Sequence, residues 1–308
     1  MKYFQGIIDC PAKLNLSLRV ARKLRPDGFH EIDSVFQAID FSDKLQLTAA
    51  PGTGSTLEIK YSPEFFAGHS ELHSQIARQE QVKQDENLVL LATRAWTDKF
   101  LNSGEQFSFQ WMLIKSIPTG AGLGGGSSDA AASLKLLTAM ADHFKLLPAS
   151  YLNSAAYREA LLEIAANLGS DIPFFLGAST AARIRGRGEI ILPRASNRQK
   201  YILALSQNFT ATAKAYARLD AKRAALKGNK EEIYSNDFSL LYEDEQHRFA
   251  RLLADFPDAN LGLSGSGSTF FFSDVIDEET FASIARVEGY LLIRAQAIEN
   301  WPPINLIN

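Results

Sequence analysis

The chain has 308 residues, 46% hydrophobic and 22% charged, which suits one large or two moderate domains with a real core. Its net charge of −3 includes no basic block, so composition gives no footing to a nucleic-acid or anionic-membrane surface. The single cysteine, Cys10, excludes an internal disulfide and any multi-cysteine metal site, and the lack of a signal-peptide core or membrane-length apolar run makes the chain read as soluble and cytoplasmic.

In chain order, Ile7–Val20 alternates as a strand, with Leu14, Leu16 and Leu18 on one face and Lys13, Asn15 and Ser17 on the other. Lys13 and Asn15 therefore project together, toward solvent or toward a ligand. Pro26-Asp27-Gly28 signals a turn, and Phe29 and His30 follow it directly. An aromatic ring and an imidazole there suit either packing or a planar ligand. Val35–Asp40, Lys44–Ala49 and Leu57–Tyr61 read as further strands. The polar stretch Ser62–Glu86 carries His69 and His73 at i, i+4, a spacing that suits a metal on a helix, but no other ligand clusters nearby and it reads as a solvated insertion. Asn87–Leu101 has the apolar stripe of an amphipathic helix.

Phe107–Lys115 alternates as a strand with one strongly apolar face. Gly120, Gly122, Gly124, Gly125 and Gly126 follow, then Ser127 or Ser128 as a helix cap, and Asp129–Met140 as an Ala- and Leu-rich helix. Strand, glycine loop and helix start form an anion site in principle. Glycine admits positive φ and leaves no Cβ in the way, and the helix start adds unpaired N–H groups and the positive end of its dipole. The Walker loop is excluded, because no lysine lies between Gly120 and Ser128. Gly120, Gly122 and Gly125 match the dinucleotide spacing, yet the residues after them read as helix end and turn, which leaves Asp142 a poor ribose ligand.

Tyr151–Leu168 reads as a helix ending at Gly169. Asp171 next to Ile172-Pro173 is either a helix cap or a partly buried carboxylate fit to accept a proton. Arg183, Arg185 and Arg187 would share one strand face, as a solvated edge or a phosphate contact. Ile202–Leu205 is a short strand, Ala213–Leu226 a helix with Tyr216 early in it, and Phe238–Phe256 helical. Leu261–Phe272 is a second Gly/Ser turn entering an apolar strand. Thr280–Arg286 reads as helix, Tyr290–Ala297 as strand and the tail as loop.

PAKLNL (Pro11–Leu16), GAGLGGGSSDAA (Gly120–Ala131) and LSGSGS (Leu263–Ser268) resemble, in order, the three motifs of the GHMP small-molecule kinases. DGFHE, FQAID, DENL, GSDIPFFL and GRGE resemble the branch that acts on a cytidine-diphosphate-linked methylerythritol in non-mevalonate isoprenoid precursor synthesis. The resemblance implies a two-domain α+β GHMP-kinase-like fold, with a ribosomal-S5-like ATP domain at 1–175 and an α/β sandwich domain at 176–308. It implies ATP on Pro118, Gly120, Gly122, Leu123, Gly124, Gly125, Gly126, Ser127 and Ser128, with Asn87 and Lys115 near the adenine, and Mg²⁺ bridging phosphate oxygens. Asp171 would take the proton of the acceptor hydroxyl with Lys13 close by, and Asn15 would help hold the acceptor. His30 would read the cytosine edge, with Phe29 beside the ring and Tyr216 on its other side. The implied partner is a small molecule, not nucleic acid or membrane, and the protein a monomer or weak homodimer. The chain departs from the family in having Phe29 where tyrosine is usual, in its three arginines before Glu189, and in the length of Ser62–Glu86. A GHMP kinase with a homoserine or sugar acceptor is disfavoured by DGFHE and GLGGGSS. A non-catalytic sensor of the same fold is disfavoured by the presence of Lys13, Asp171 and the whole glycine loop.

Overall fold

Alternating apolar residues build a long antiparallel ribbon from β1 (Phe4–Leu24) and β2 (His30–Pro51). In the computed structural model, which describes residues 3–62, 86–102, 104–206, 212–226, 235–286 and 289–307, the ribbon is the spine of the larger sheet. His69 and His73 lie outside the described residues. The two strands expected at Val35–Asp40 and Lys44–Ala49 are one. Register shifts at Pro11/Ala12, Asn15/Ser17 and Val20/Leu24 bend the ribbon without breaking it. Two of these shifts bracket Lys13 and Asn15.

β3 (Ser55–Tyr61) pairs in parallel with β4 (Phe107–Lys115), and β4 pairs antiparallel with the C-terminal half of β2. Helices follow as α1 (Leu88–Phe100), α2 (Gly125–His143), α3 (Ala149–Leu152), α4 (Ala155–Leu168) and α5 (Ile172–Leu176). The single helix expected over Tyr151–Leu168 is split, because Ser154 Oγ accepts from Tyr157 N–H and restarts the helix. α2 buries Leu134, Leu136, Leu137 and Met140 completely in the core of this sheet, each worth about 1.5–3 kcal/mol. β5 (Ala181–Gly186) pairs with Ile32–Gln37 of β2, and β6 (Ile190–Pro193) pairs with β5. Both belong to the larger sheet although they follow residue 176. The chain therefore changes sheets between Pro193 and Lys200, not at 175/176 as expected.

The smaller sheet has the order β10-β7-β9-β8, from β7 (Lys200–Ser206), β8 (Gly262–Leu263), β9 (Phe270–Ser273) and β10 (Tyr290–Gln296). Around it lie α6 (Thr212–Ala225), α7 (Glu243–Leu252) and α8 (Glu278–Ala285). The helix expected over Phe238–Phe256 is interrupted. A 3₁₀ turn at Asp237–Leu241, capped by Asn236, precedes α7. The tail, expected as loop, pairs β11 (Asn305–Leu306) with Gly6 and Ile7 of β1. The fold is the two-domain α+β arrangement expected, and among the described residues no helix is long and apolar enough to cross a membrane.

The two sheets share a core in which Ala12, Leu14, Ile117, Ala121 and Leu123 pack with Leu203, Leu205 and Phe271. At its rim the two glycine turns touch through backbone. A Cβ on Gly122 (φ +79°) would lie 2.2 Å from Ser264 O, and one on Gly265 would lie 2.9 Å from Gly122 Cα. Gly122→Ala should therefore destabilise the chain by more than about 2 kcal/mol in denaturant unfolding. Gly126→Ala, whose nearest neighbour would be Leu88 Cδ1 at 3.7 Å, should leave stability unchanged or raise it. Equal stabilities of the two variants would contradict this packing.

Candidate active site

The glycine loop leaves β4 and enters α2. Gly120, Gly122 and Gly124 adopt positive φ of 76°, 79° and 70°. The helix starts at Gly125, four residues earlier than expected, and its N-cap is left-handed Gly124. Ser127 and Ser128 are therefore first-turn residues rather than caps. A glycine cap supplies no side-chain oxygen to the first-turn N–H groups, so these and the dipole of a 19-residue helix suit an incoming anion. Gly120 and Gly126 are exposed, and Gly122, Gly124 and Ser127 half-buried, on the open side. Pro118, Leu123, Gly125 and Ser128 are buried and support the loop from behind.

Lys13 comes to the loop from β1. Its backbone N–H donates to Leu123 O (2.9 Å). Its Nζ donates to Asn15 Oδ1 (2.5 Å) and Gly122 O (3.0 Å) and forms an ion pair with Asp171 Oδ2 at 3.6 Å. The Phe36 ring lies 4.8 Å from the same Nζ. Burial pushes the Lys13 pKa below the ordinary lysine value, and Asp171 opposes that shift. Asp171 stands at the N-cap of α5, but its side chain makes no capping bond and is 28% exposed. Between the two readings left open by the sequence, cap and reactive carboxylate, the geometry excludes side-chain capping.

Asn15, expected to help hold the acceptor, links three segments. It is 3% exposed, its Oδ1 accepts from Lys13 Nζ and Gly265 N–H (2.8 Å), and its Nδ2 donates to Ser34 Oγ (2.9 Å). Its side chain wires Lys13 to the second Gly/Ser turn. Ser264 Oγ, in the LSGSGS motif but given no role of its own from the sequence, donates to Gly122 O (2.9 Å) and accepts from Asn15 N–H (3.2 Å).

Lys115, expected near the adenine, is buried beneath the loop and ion-paired with Asp43 and with Asp129 (3.1 Å). Asp43 also accepts from Ser116 N–H (2.5 Å) and Ile117 N–H (2.8 Å), which clamps the entrance to the loop. The signal for Asp43 was a carboxylate between Phe41 and Leu45 in a strand. Asn87 caps α1, its Oδ1 accepting from Val89 N–H at 2.9 Å.

The turn between β1 and β2 supplies the other group of expected residues. Phe29 is 53% exposed, with the Arg187 guanidinium 4.3 Å over its ring. His30 Nδ1 is 2.7 Å from Ala21 O and Nε2 is 3.1 Å from Asp220 Oδ2. Tyr216 of α6 stacks on His30, at 5.5 Å and 19°, rather than leaving a gap beside Phe29. Burial, helped by Asp171, pushes the Tyr216 pKa up to about 12, so the phenol and the carboxylate feel one another. A cavity of about 180 Å³ joins this turn to the Asp171 corner, lined by Arg25, Asp27, Ser170, Pro173 and Arg187 among others. Arg183 and Arg185 share one face of β5, as expected, whereas Arg187 lies beyond the end of the strand. Arg183 makes a two-pronged pair with Asp33, Arg185 reaches the same carboxylate at 3.3 Å, and only Arg187 turns toward Phe29.

Burial pushes the Asp129 pKa up to about 7, with Lys115 opposing and Asp43 adding to it. The folded chain thus holds this proton where an unfolded carboxyl, at about 3.9, has lost it. The group's contribution to stability is full below about pH 4 and lost as pH rises to about 7. Between about pH 5 and about pH 8, the denaturant midpoint should fall more for the parent than for Asp129→Asn, which is neutral throughout. Parallel falls would refute this.

Comparison with known proteins shows which family the chain is similar to. The GHMP kinases N terminal domain model matches residues 87–178. A protein of Salinibacter ruber named 4-diphosphocytidyl-2-C-methyl-D-erythritol kinase is 32% identical over 301 residues, 91% of this chain and 93% of that protein. One of the same name from a Sulfurihydrogenibium species is 33% identical over 316 residues, 94% of this chain and 98% of its own length. A third, from Rhodopirellula baltica, is 38% identical over 189 residues, 58% of this chain and about half (54%) of that protein. Among solved structures, a 4-(cytidine 5'-diphospho)-2C-methyl-D-erythritol kinase has a similar fold, with TM-score 0.63 and 24% identity over 94% of this chain and 98% of that one. A homoserine kinase from Cytophaga hutchinsonii has TM-score 0.59 and 15% identity over 100% and 98%.

Proposed function

This chain belongs to the GHMP kinase family, and from that membership we infer that it is an ATP-dependent kinase that phosphorylates the 2-hydroxyl of 4-diphosphocytidyl-2-C-methyl-D-erythritol. The observation that carries the catalytic assignment is the Lys13–Asp171 pair at 3.6 Å on the rim of a glycine loop that opens a long helix. The loop's N–H groups and the first turn of α2 receive the nucleotide's phosphates, through the open-side residues Gly120, Gly122, Gly124, Gly126 and Ser127. Asn87, at the start of α1, lies toward the base of the nucleotide.

Asp171 accepts the proton of the acceptor hydroxyl. Lys13 holds Asp171 in place and carries positive charge to the rim, where negative charge gathers during transfer. The Asp171 carboxylate and Ser127 hydroxyl are the hard oxygen donors that would hold a Mg²⁺, which would supply charge to offset the phosphates. Phe29 lies beside the cytosine and His30 meets its edge, with Tyr216 stacked on the imidazole. A reaction that draws on ATP suits the cytoplasm.

ATP consumption should be measured with the cytidyl-methylerythritol compound, homoserine, mevalonate and galactose as acceptors. Turnover is expected on the first, and its absence there would end this reading. With that acceptor, Asp171→Asn should lower kcat by about 10²–10⁴ while leaving KM for ATP nearly unchanged. Unaltered turnover would remove Asp171 as the base.

A further inference from the structure

Asp171 needs a support that its own bonds do not supply. Among the described residues its carboxylate has one charged partner, Lys13 at 3.6 Å, and it makes no capping bond. Its place is therefore set by the backbone of α5, which is only five residues long. A helix of little more than one turn has no stability of its own. What packs on α5 decides where Asp171 stands.

α5 is held through Phe174 and Phe175, both buried. Phe174 meets Phe36 edge-on at 5.3 Å, and Phe36 also lies 4.8 Å from Lys13 Nζ. One ring thus touches the lysine directly and the aspartate through its helix. The other support is Trp301, whose ring lies 5.5 Å from Phe174 and 5.9 Å from Phe175, at 74° and 58°. Aromatic pairs tilted in this way attract beyond the area they bury. Trp301 belongs to the C-terminal tail, which is fastened on both sides of it. Ile298 N–H donates to Ala38 O (3.1 Å), and Ile298 O accepts from Thr180 Oγ1 and Ser196 Oγ, each at 2.7 Å. Beyond it, Asn305 and Leu306 pair with β1. Pro302 follows directly and disfavours helical backbone at Trp301. Lys135 of α2 places its Nζ 4.9 Å from the indole centre, which ties the tail to the helix that the glycine loop opens. Trp301 Nε1 is buried and has no acceptor among the described residues. Hydrogen bonding therefore does not account for a tryptophan here, since phenylalanine would bury a ring without an orphaned N–H. The breadth of the indole, which reaches Phe174, Phe175 and Lys135 together, does account for it.

We propose that Trp301 is a positioning residue for phosphoryl transfer, bracing α5 so that Asp171 stays where it can take the acceptor's proton. This rests on Asp171 being the base, as assigned above. Trp301 acts through Phe174 and Phe175 on the backbone that carries the carboxylate. Without the indole those two rings lose a neighbour, water reaches them, and α5 is free to shift. A misplacement of about 1 Å at a reacting group costs on the order of 10²-fold in rate. The tail, which leaves the smaller sheet and returns to the larger one, thereby takes part in the chemistry from outside the site.

The test is a double-mutant cycle on kcat of the full chain with the cytidyl-methylerythritol acceptor, in the parent, Trp301→Ala, Asp171→Asn and the two together. Trp301→Ala should lower kcat by about 10–100-fold while KM for ATP stays nearly unchanged. In the Asp171→Asn background no base remains to be positioned, so Trp301→Ala should lower kcat no further. A merely structural role for Trp301 would lower kcat by the same factor in both backgrounds, and that outcome overturns the proposal. An unchanged kcat in Trp301→Ala overturns it as well, and in both cases the assignment of Asp171 stands. Should Trp301→Ala fail to fold, Trp301→Leu keeps apolar bulk without the breadth of the indole, and the same cycle decides by the same outcomes. Parental turnover in Asp171→Asn overturns the base assigned above, and this inference with it. A parent inactive on the cytidyl compound overturns the function assigned above, and again this inference with it.

Discussion

The backbone contact between Gly122 and the Ser264–Gly265 turn is the constraint on which the site depends. It brings the loop of the larger sheet against the turn of the smaller one more closely than any side chain would allow. The same contact hands Gly122 O to both Lys13 Nζ and Ser264 Oγ, and Gly265 N–H to Asn15 Oδ1. A bond made across the sheets therefore also holds the ammonium in register with Asp171. Because the apolar residues between the sheets are fully buried, the loop is positioned by core packing rather than by its own stiffness.

Behind the loop, charge is used for shape. One lysine serves two carboxylates in the buried group of Asp43, Lys115 and Asp129, and Asp43 also takes the backbone N–H groups of Ser116 and Ile117. Burying such groups is costly unless they are bonded on several sides, as Asp43 is, whereas Asp129 Oδ1 has no hydrogen-bond partner among the described residues. What this secures is one conformation for the chain as it leaves β4. An apolar replacement could not accept from two successive N–H groups at the foot of the loop.

The acceptor side is built by a different logic. Three segments distant in sequence converge on it, the β1–β2 turn, the Ser170–Asp171 corner and one face of α6. Tyr216 links them, since it stacks on His30 and its phenol lies in the field of Asp171. A change in how α6 sits would thus alter both the surroundings of the base and the edge of the ring that recognises the acceptor.

Much of this was readable in the chain alone, for local reasons. β4 runs over Phe107–Lys115 as its two-residue alternation requires, and glycine at three positive-φ positions marks a loop whose conformation few other residues can adopt. A carboxylate beside Pro173 with two phenylalanines after it already suggested Asp171. The sequence could not say that β5 and β6 rejoin the first sheet, or that the tail pairs with Gly6 and Ile7, because strand pairing is a non-local choice. Nor could it name the remote partners that polar residues would meet. Lys115 went to Asp43, 72 positions away, Asn15 to Gly265, 250 away, and His30 to Asp220, 190 away. Residue type and spacing determine what a side chain can bond. Which bond it makes was decided only when the tertiary fold brought an acceptor or donor within about 3 Å.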